Sequence, residues 1–102
     1  MNRNELTYRV KETVISLDPK AKVILFGSNA RGDAKSSSDW DFLILTSSDP
    51  TEKYKKTIRD KLIDTELEAG QVISTIIFSQ NKWKDYSITP LYRNVIKDGI
   101  EL

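Results

Sequence analysis

The sequence predicts an α+β fold with the element order α-β-β-α-β-α: a small mixed β-sheet of three to four strands with helices packed on it. Three observations predict the sheet and its helices. Apolar residues recur at helical spacing in Leu6, Val10, Val14 and Leu17, and again in Tyr54, Ile58 and Leu62. Residues 23–26, 42–45 and 72–78 are short apolar runs with the length of strands, the last of them rich in β-branched residues. Proline and glycine stand at the joints between these segments rather than inside them.

The first helix is expected over about residues 4–17, where Asp18-Pro19 ends it because proline disfavours the helical conformation at the residue before it. Residues 23–26 read as a buried strand closed by Gly27. Residues 28–38 are small and polar and read as a loop with room for one helical turn. A second strand, residues 42–45, is entered through Asp39-Trp40-Asp41. Asp49 suits an N-cap, Pro50 the first helical position, and Glu52 completes a capping-box-like pair. The second helix buries Tyr54, Ile58 and Leu62 and stops at Gly70. Its Lys53, Lys55, Lys56, Arg59 and Lys61 are interleaved with Glu52 and Asp60, the pattern of a solvated face rather than a nucleic-acid patch. After the third strand, a polar turn carries Trp83 and Tyr86. Thr89-Pro90 opens a last helix expected to turn Leu91, Tyr92, Val95 and Ile96 inward before Gly99.

The chain has 102 residues, the size of one compact domain with a thin core, and residues 1–102 are expected to form a single unit. Its formal charge of +1, from 16 basic and 15 acidic residues, argues against a strong nucleic-acid footprint. No apolar run is long enough to span a membrane and Met1 leads into polar residues, so a cytoplasmic location is expected. The chain contains neither cysteine nor histidine, which excludes thiol nucleophiles, imidazole triads and the usual zinc sets. A metal here would bind oxygen ligands, which favours Mg²⁺, Mn²⁺ or Ca²⁺.

Two short features carry chemistry. Gly27-Ser28 follows a strand, and glycine lets a phosphate approach the backbone while serine offers a hydroxyl and an N–H. By itself the pair fits a plain turn equally well. Asp39 and Asp41 lie two apart at the mouth of the next strand, so alternation puts both carboxylates on one face and Trp40 on the other. Two adjacent carboxylates repel, and a hard divalent cation relieves that repulsion. Two solvated aspartates would give the same pattern.

The combination is far more specific than its parts. Ten residues separate Ser28 from Asp39, with Ala30-Arg31-Gly32 inside the spacer and Ser38 before the first aspartate. This string, from Gly27-Ser28-Asn29-Ala30-Arg31-Gly32 through Ser38-Asp39-Trp40-Asp41, resembles the signature of the DNA polymerase beta-like nucleotidyltransferases. Within that superfamily it is most similar to the minimal nucleotidyltransferases, stand-alone domains of about this length. The resemblance runs over essentially the whole chain, to the final apolar helix ending in Asp-Gly-Ile.

That resemblance implies a division of labour. Gly27 and Ser28 would hold the triphosphate of a nucleotide, ATP being the expected donor, and Asp39 and Asp41 would coordinate Mg²⁺ or Mn²⁺. Arg31 either reaches a phosphate bidentately or holds the loop by pairing with Asp33. The expected acceptor is a hydroxyl on a partner protein, because minimal nucleotidyltransferases commonly accompany a small HEPN-domain ribonuclease as its antitoxin. Drug adenylylation fits less well, since no second domain holds an acceptor. Trp83, Tyr86 and Tyr92 are either core or the place where a partner docks.

One departure from the family stands out. Active members supply a third carboxylate from the next strand, and that place falls on Ser74. Glu66 and Glu68, just before the strand, are the conceivable substitutes. The alternative reading is therefore a catalytically degenerate relative that binds nucleotide or partner only.

Overall fold

The computed structural model describes all residues from Met1 to Leu102. Helix α1 (Arg3–Leu17) begins at Asn2, whose side chain accepts a hydrogen bond from the Glu5 N–H at 2.9 Å. Its Leu6, Val10 and Val14 are buried, as the helical spacing predicts. Asp18 ends it and reaches across to the Ser47 N–H at 2.8 Å, tying the end of the helix to the loop after β2.

Four strands form one mixed sheet in the order β3-β2-β1-β4. Strand β1 (Lys22–Phe26) runs antiparallel to β2 (Trp40–Thr46), and β2 runs parallel to β3 (Ile73–Ser79). The fourth strand, β4 (Ile100–Glu101), adds antiparallel to the outer edge of β1. Helix α3 (Glu52–Ala69) makes the crossover between the parallel pair, and Gly70 ends it in the left-handed conformation.

Residues 42–46 of β2 are all buried, so both faces of the central strand are covered. Phe42 and Ile44 join Val10, Val14, Ile58 and Leu62 under α1 and α3. Leu43 and Leu45 pack with Trp83 and Val95 on the opposite face. That second layer comprises α4 (Gln80–Trp83), a 3₁₀ turn (Lys84–Tyr86) and α5 (Pro90–Asp98). The result is an α+β fold of three layers with a central mixed sheet.

The structure corrects three sequence expectations. Thr51, not Asp49, caps α3, accepting from the Tyr54 N–H at 3.0 Å, so Pro50 lies outside the helix. Asp49 is drawn instead to Lys82, 3.2 Å away on α4. Ile96 does not face inward: it is 66% exposed, because the packed stripe of α5 is Leu91, Tyr92 and Val95 and Ile96 lies a helical step beyond it. The residues after β3, expected as a polar turn, form α4 and the 3₁₀ turn, and they bury Trp83 to 7% exposure. Trp83 is thus a core residue, stacked on Phe78 and in tilted contact with Tyr92.

The basic residues of α3 behave as a solvated face. Lys55 pairs with Glu52 and Lys56 with Asp60 along the helix.

Candidate active site

Strand β1 runs out at Phe26, and the chain turns at Gly27 into α2 (Ser28–Arg31). Gly27 has φ +79° and ψ −161°, a conformation essentially restricted to glycine. A Cβ on Gly27 would lie 2.5 Å from Asp41 Oδ2. The glycine therefore serves two purposes: it allows the turn, and it leaves space for the Asp41 carboxylate against the backbone. The turn is closed by the Ala30 and Arg31 N–H groups donating to the Gly27 carbonyl at 3.0 and 3.1 Å.

Asp39 and Asp41 flank the start of β2. Trp40 packs on the core beneath α1 and α3, while Leu43 and Leu45 face the opposite layer. Strand alternation puts Asp41 on that opposite face, as the spacing predicts. The Asn29 side-chain amide donates to the Asp39 carbonyl at 2.9 Å and so joins α2 to the aspartate pair. Asp41 is half-buried, and this burial together with repulsion from Asp39 raises its carboxyl above the usual range, with Arg31 drawing it partly back. An all-oxygen donor set whose anions repel one another fits a hard divalent cation.

The register places Asp41 directly between Phe26 on β1 and Ser74 on β3. Ser74 shares the parity of Ile76 and Phe78, which pack on the same face as Leu43 and Leu45. Ser74, where the resemblance leads one to expect a third carboxylate, thus stands beside Asp41 with a hydroxyl in its place. Neither substitute reaches it. Glu66 accepts the Ile73 N–H at 3.0 Å and Glu68 pairs with Arg9 at 2.9 Å, both on the α1/α3 side of the sheet. No group of three metal-ligating acids forms anywhere in the chain.

Arg31 pairs with Asp33, one of the two sequence alternatives, at 3.1 Å. It also pairs with Asp98 at the end of α5, again at 3.1 Å. Asp98 was invisible to sequence reasoning as a site residue, its only signal being its place in the Asp-Gly-Ile ending. Two surface concavities of about 320 and 370 Å³ lie elsewhere, one between α3 and β3, the other around Lys22 and Gln80. Neither is lined by Gly27, Ser28, Asp39 or Asp41, of which Asp39 is exposed and the other three are half-buried.

Comparisons with known proteins bear on the family and the fold. Residues 8–101 match the family model of the nucleotidyltransferase domain. A Methanocaldococcus jannaschii protein provisionally named protein adenylyltransferase MJ0604 is 36% identical over 95 residues, covering 88% of this chain and 90% of its own length. A second from that organism, likewise provisionally named protein adenylyltransferase MJ0141, is 41% identical over 68 residues, 67% of this chain and 69% of its own. Among solved structures, a toxin-antitoxin with AMP-PNP shares the fold at TM-score 0.65 and 19% identity, over 99% of this chain and 72% of that one. A mutant of the toxin-antitoxin MntA-HpeT does so at TM-score 0.64 and 17% identity, with the same coverage. With the family model spanning nearly the whole chain and relatives above 30% identity, this protein belongs to the nucleotidyltransferase domain family of transferase enzymes.

Proposed function

We propose that this enzyme transfers AMP from ATP to a hydroxyl of a partner protein. The observation that carries the proposal is the juxtaposition of the Gly27 turn with the Asp39 and Asp41 carboxylates at one end of the sheet. In this reading Gly27 and Ser28 receive the triphosphate at the turn after β1, beside the Asp41 carboxylate that fills the Cβ space of Gly27. Asp39 and Asp41 hold Mg²⁺ or Mn²⁺, which when bound would neutralise phosphate charge and favour ionisation of the attacking hydroxyl. The acceptor hydroxyl gives up its proton to solvent, its oxygen forms a bond to the α-phosphorus, the bond to the bridging oxygen breaks, and pyrophosphate leaves.

With Asp39 exposed and Gly27, Ser28 and Asp41 only half-buried, the site is accessible to an acceptor carried by another molecule. The protein adenylyltransferase names of the relatives and the toxin-antitoxin descriptions of the structural neighbours support a protein acceptor. A HEPN-type toxin is the partner proposed here, with this chain as antitoxin. Exposed Ile88 and Ile96, beside the α5 layer, are the proposed contact residues.

Ser74 favours a second reading. Without a third carboxylate beside Asp41, the chain would bind nucleotide and neutralise its partner by contact alone. Mass spectrometry of the co-expressed pair with ATP and Mg²⁺ separates the two. Catalysis adds the mass of AMP to the partner, and Asp39→Ala with Asp41→Ala abolishes it. A stable complex without added mass establishes the contact-only reading, and neither complex nor modification removes both.

A further inference from the structure

The two carboxylates on Arg31 are not equivalent. Asp33 is two residues away and its side chain is 62% exposed, so that pair is local and screened. Asp98 is 67 residues away and its side chain is only 11% exposed. Arg31 supplies the one hydrogen bond its carboxylate receives. A shielded carboxylate depends on its cation more than an exposed one does, so the Asp98 pair is the one that ties the guanidinium to a distant element.

The hold bears directly on the active-site turn. Arg31 is the last residue of α2, and its own N–H donates to the Gly27 carbonyl at 3.1 Å. Whatever anchors Arg31 therefore anchors the turn beside Asp41. A guanidinium has five N–H donors in a rigid fork. Nε–H is taken by Asp33 and one Nη1–H by Asp98, which leaves three donors, both of those on Nη2 among them. Arg31 meets Asp98 at the end of α5, which packs on the face of the sheet that carries Asp41, and its positive charge acts on that carboxylate.

We propose that Asp98 is a positioning residue: from the last helix it clamps Arg31 so that the remaining guanidinium donors meet a nucleotide phosphate beside Asp41. This rests on the nucleotide-binding reading of Gly27, Ser28, Asp39 and Asp41. It also gives α5 a part in the reaction, beyond covering the sheet and offering Ile96 to a partner.

The test is a double-mutant cycle read by titration of AMP-PNP with Mg²⁺ into the wild type, Arg31→Ala, Asp98→Asn and the double variant. Each single change is expected to weaken binding about tenfold, the worth of one charge-assisted hydrogen bond. The double variant should bind no worse than Arg31→Ala, because both changes remove one device. Asp98→Glu, which keeps the charge, should recover most of the affinity. Amide hydrogen exchange without nucleotide supplies the second readout, with residues 30–33 exchanging faster in Asp98→Asn. Wild-type affinity in Asp98→Asn, or losses that multiply in the double variant, would overturn the proposal. If the wild type itself binds no AMP-PNP, the nucleotide reading fails, and unchanged exchange at residues 30–33 would then overturn the clamp as well. Should Asp98→Asn not fold, Arg31→Lys keeps the charge but not the fork, and wild-type affinity there is equally fatal.

Discussion

Gly27→Ala is the substitution whose cost the structure defines most closely. The residue sits at φ +79° and ψ −161°, where a side chain costs about 1–3 kcal/mol. The new Cβ would also lie 2.5 Å from Asp41 Oδ2, so the carboxylate has to retreat by about 1 Å to reach ordinary contact. Together these give a loss of about 2–4 kcal/mol. For a chain of 102 residues, the unfolding entropy converts each kcal/mol into about 5 °C, so the midpoint should fall by about 10–20 °C. The two contributions separate by repeating the substitution in an Asp41→Ala background. There the backbone strain remains while the contact vanishes, and the loss should shrink to the strain alone. Circular dichroism melts of the four proteins read stability, and Mn²⁺ titration reads the site, which should weaken at least tenfold with the carboxylate displaced. A midpoint within about 2 °C of wild type would refute the strain argument. Equal losses with and without the Asp41 carboxylate would refute the contact.

Three further outcomes follow from named groups. Asp41 keeps its proton more tightly folded than unfolded, because burial and Asp39 raise its carboxyl, so stability falls as pH rises through that window. In chelator, Asp41→Asn should therefore match wild type in acid and become the more stable protein above about pH 4, and a pH-independent difference in melting would contradict this. Ser74→Asp places a third carboxylate about 4.8 Å along the ladder from Asp41, which should cost about 1–3 kcal/mol without metal. Mn²⁺ should restore that loss with at least tenfold tighter binding, and unchanged affinity would mean the side chain does not face the pair. Asp18 is the opposite case: burial pushes its carboxyl up, but hydrogen bonds from Ser47 and Lys20 outweigh that and lower it. Its contribution is full above the ordinary carboxylate range and lost as pH falls through the folded value. Asp18→Ala should cost about 1–2 kcal/mol at neutral pH and nothing in strong acid, as urea melts at both would show.

Much of this protein was legible in order along the chain. The helical stripe of Leu6, Val10 and Val14, the three apolar runs and the stop at Gly70 report local periodicity and turn chemistry, which a sequence displays directly. Strand parity alone put Asp41 opposite Trp40, and the ten-residue spacer joined both to Gly27-Ser28 and named the family. The capping of α3 was misread because Asp49 and Thr51 are both good caps, and a contact 33 residues downstream, at Lys82, settled which was free to serve.

Register, strand order and partner choice belonged to the tertiary structure. That Asp41 lies between Phe26 and Ser74 is set by the pairing of β2 with both neighbours, which the all-apolar run of residues 42–45 does not specify by itself. Glu66 and Glu68, close to β3 in sequence, were committed to Ile73 and Arg9 on the far face of the sheet. Arg31 found Asp98 across 67 residues because α5 packs back on the face that carries Asp41. Periodicity records which way a side chain points from its own element. It carries no record of which distant element will be there to meet it.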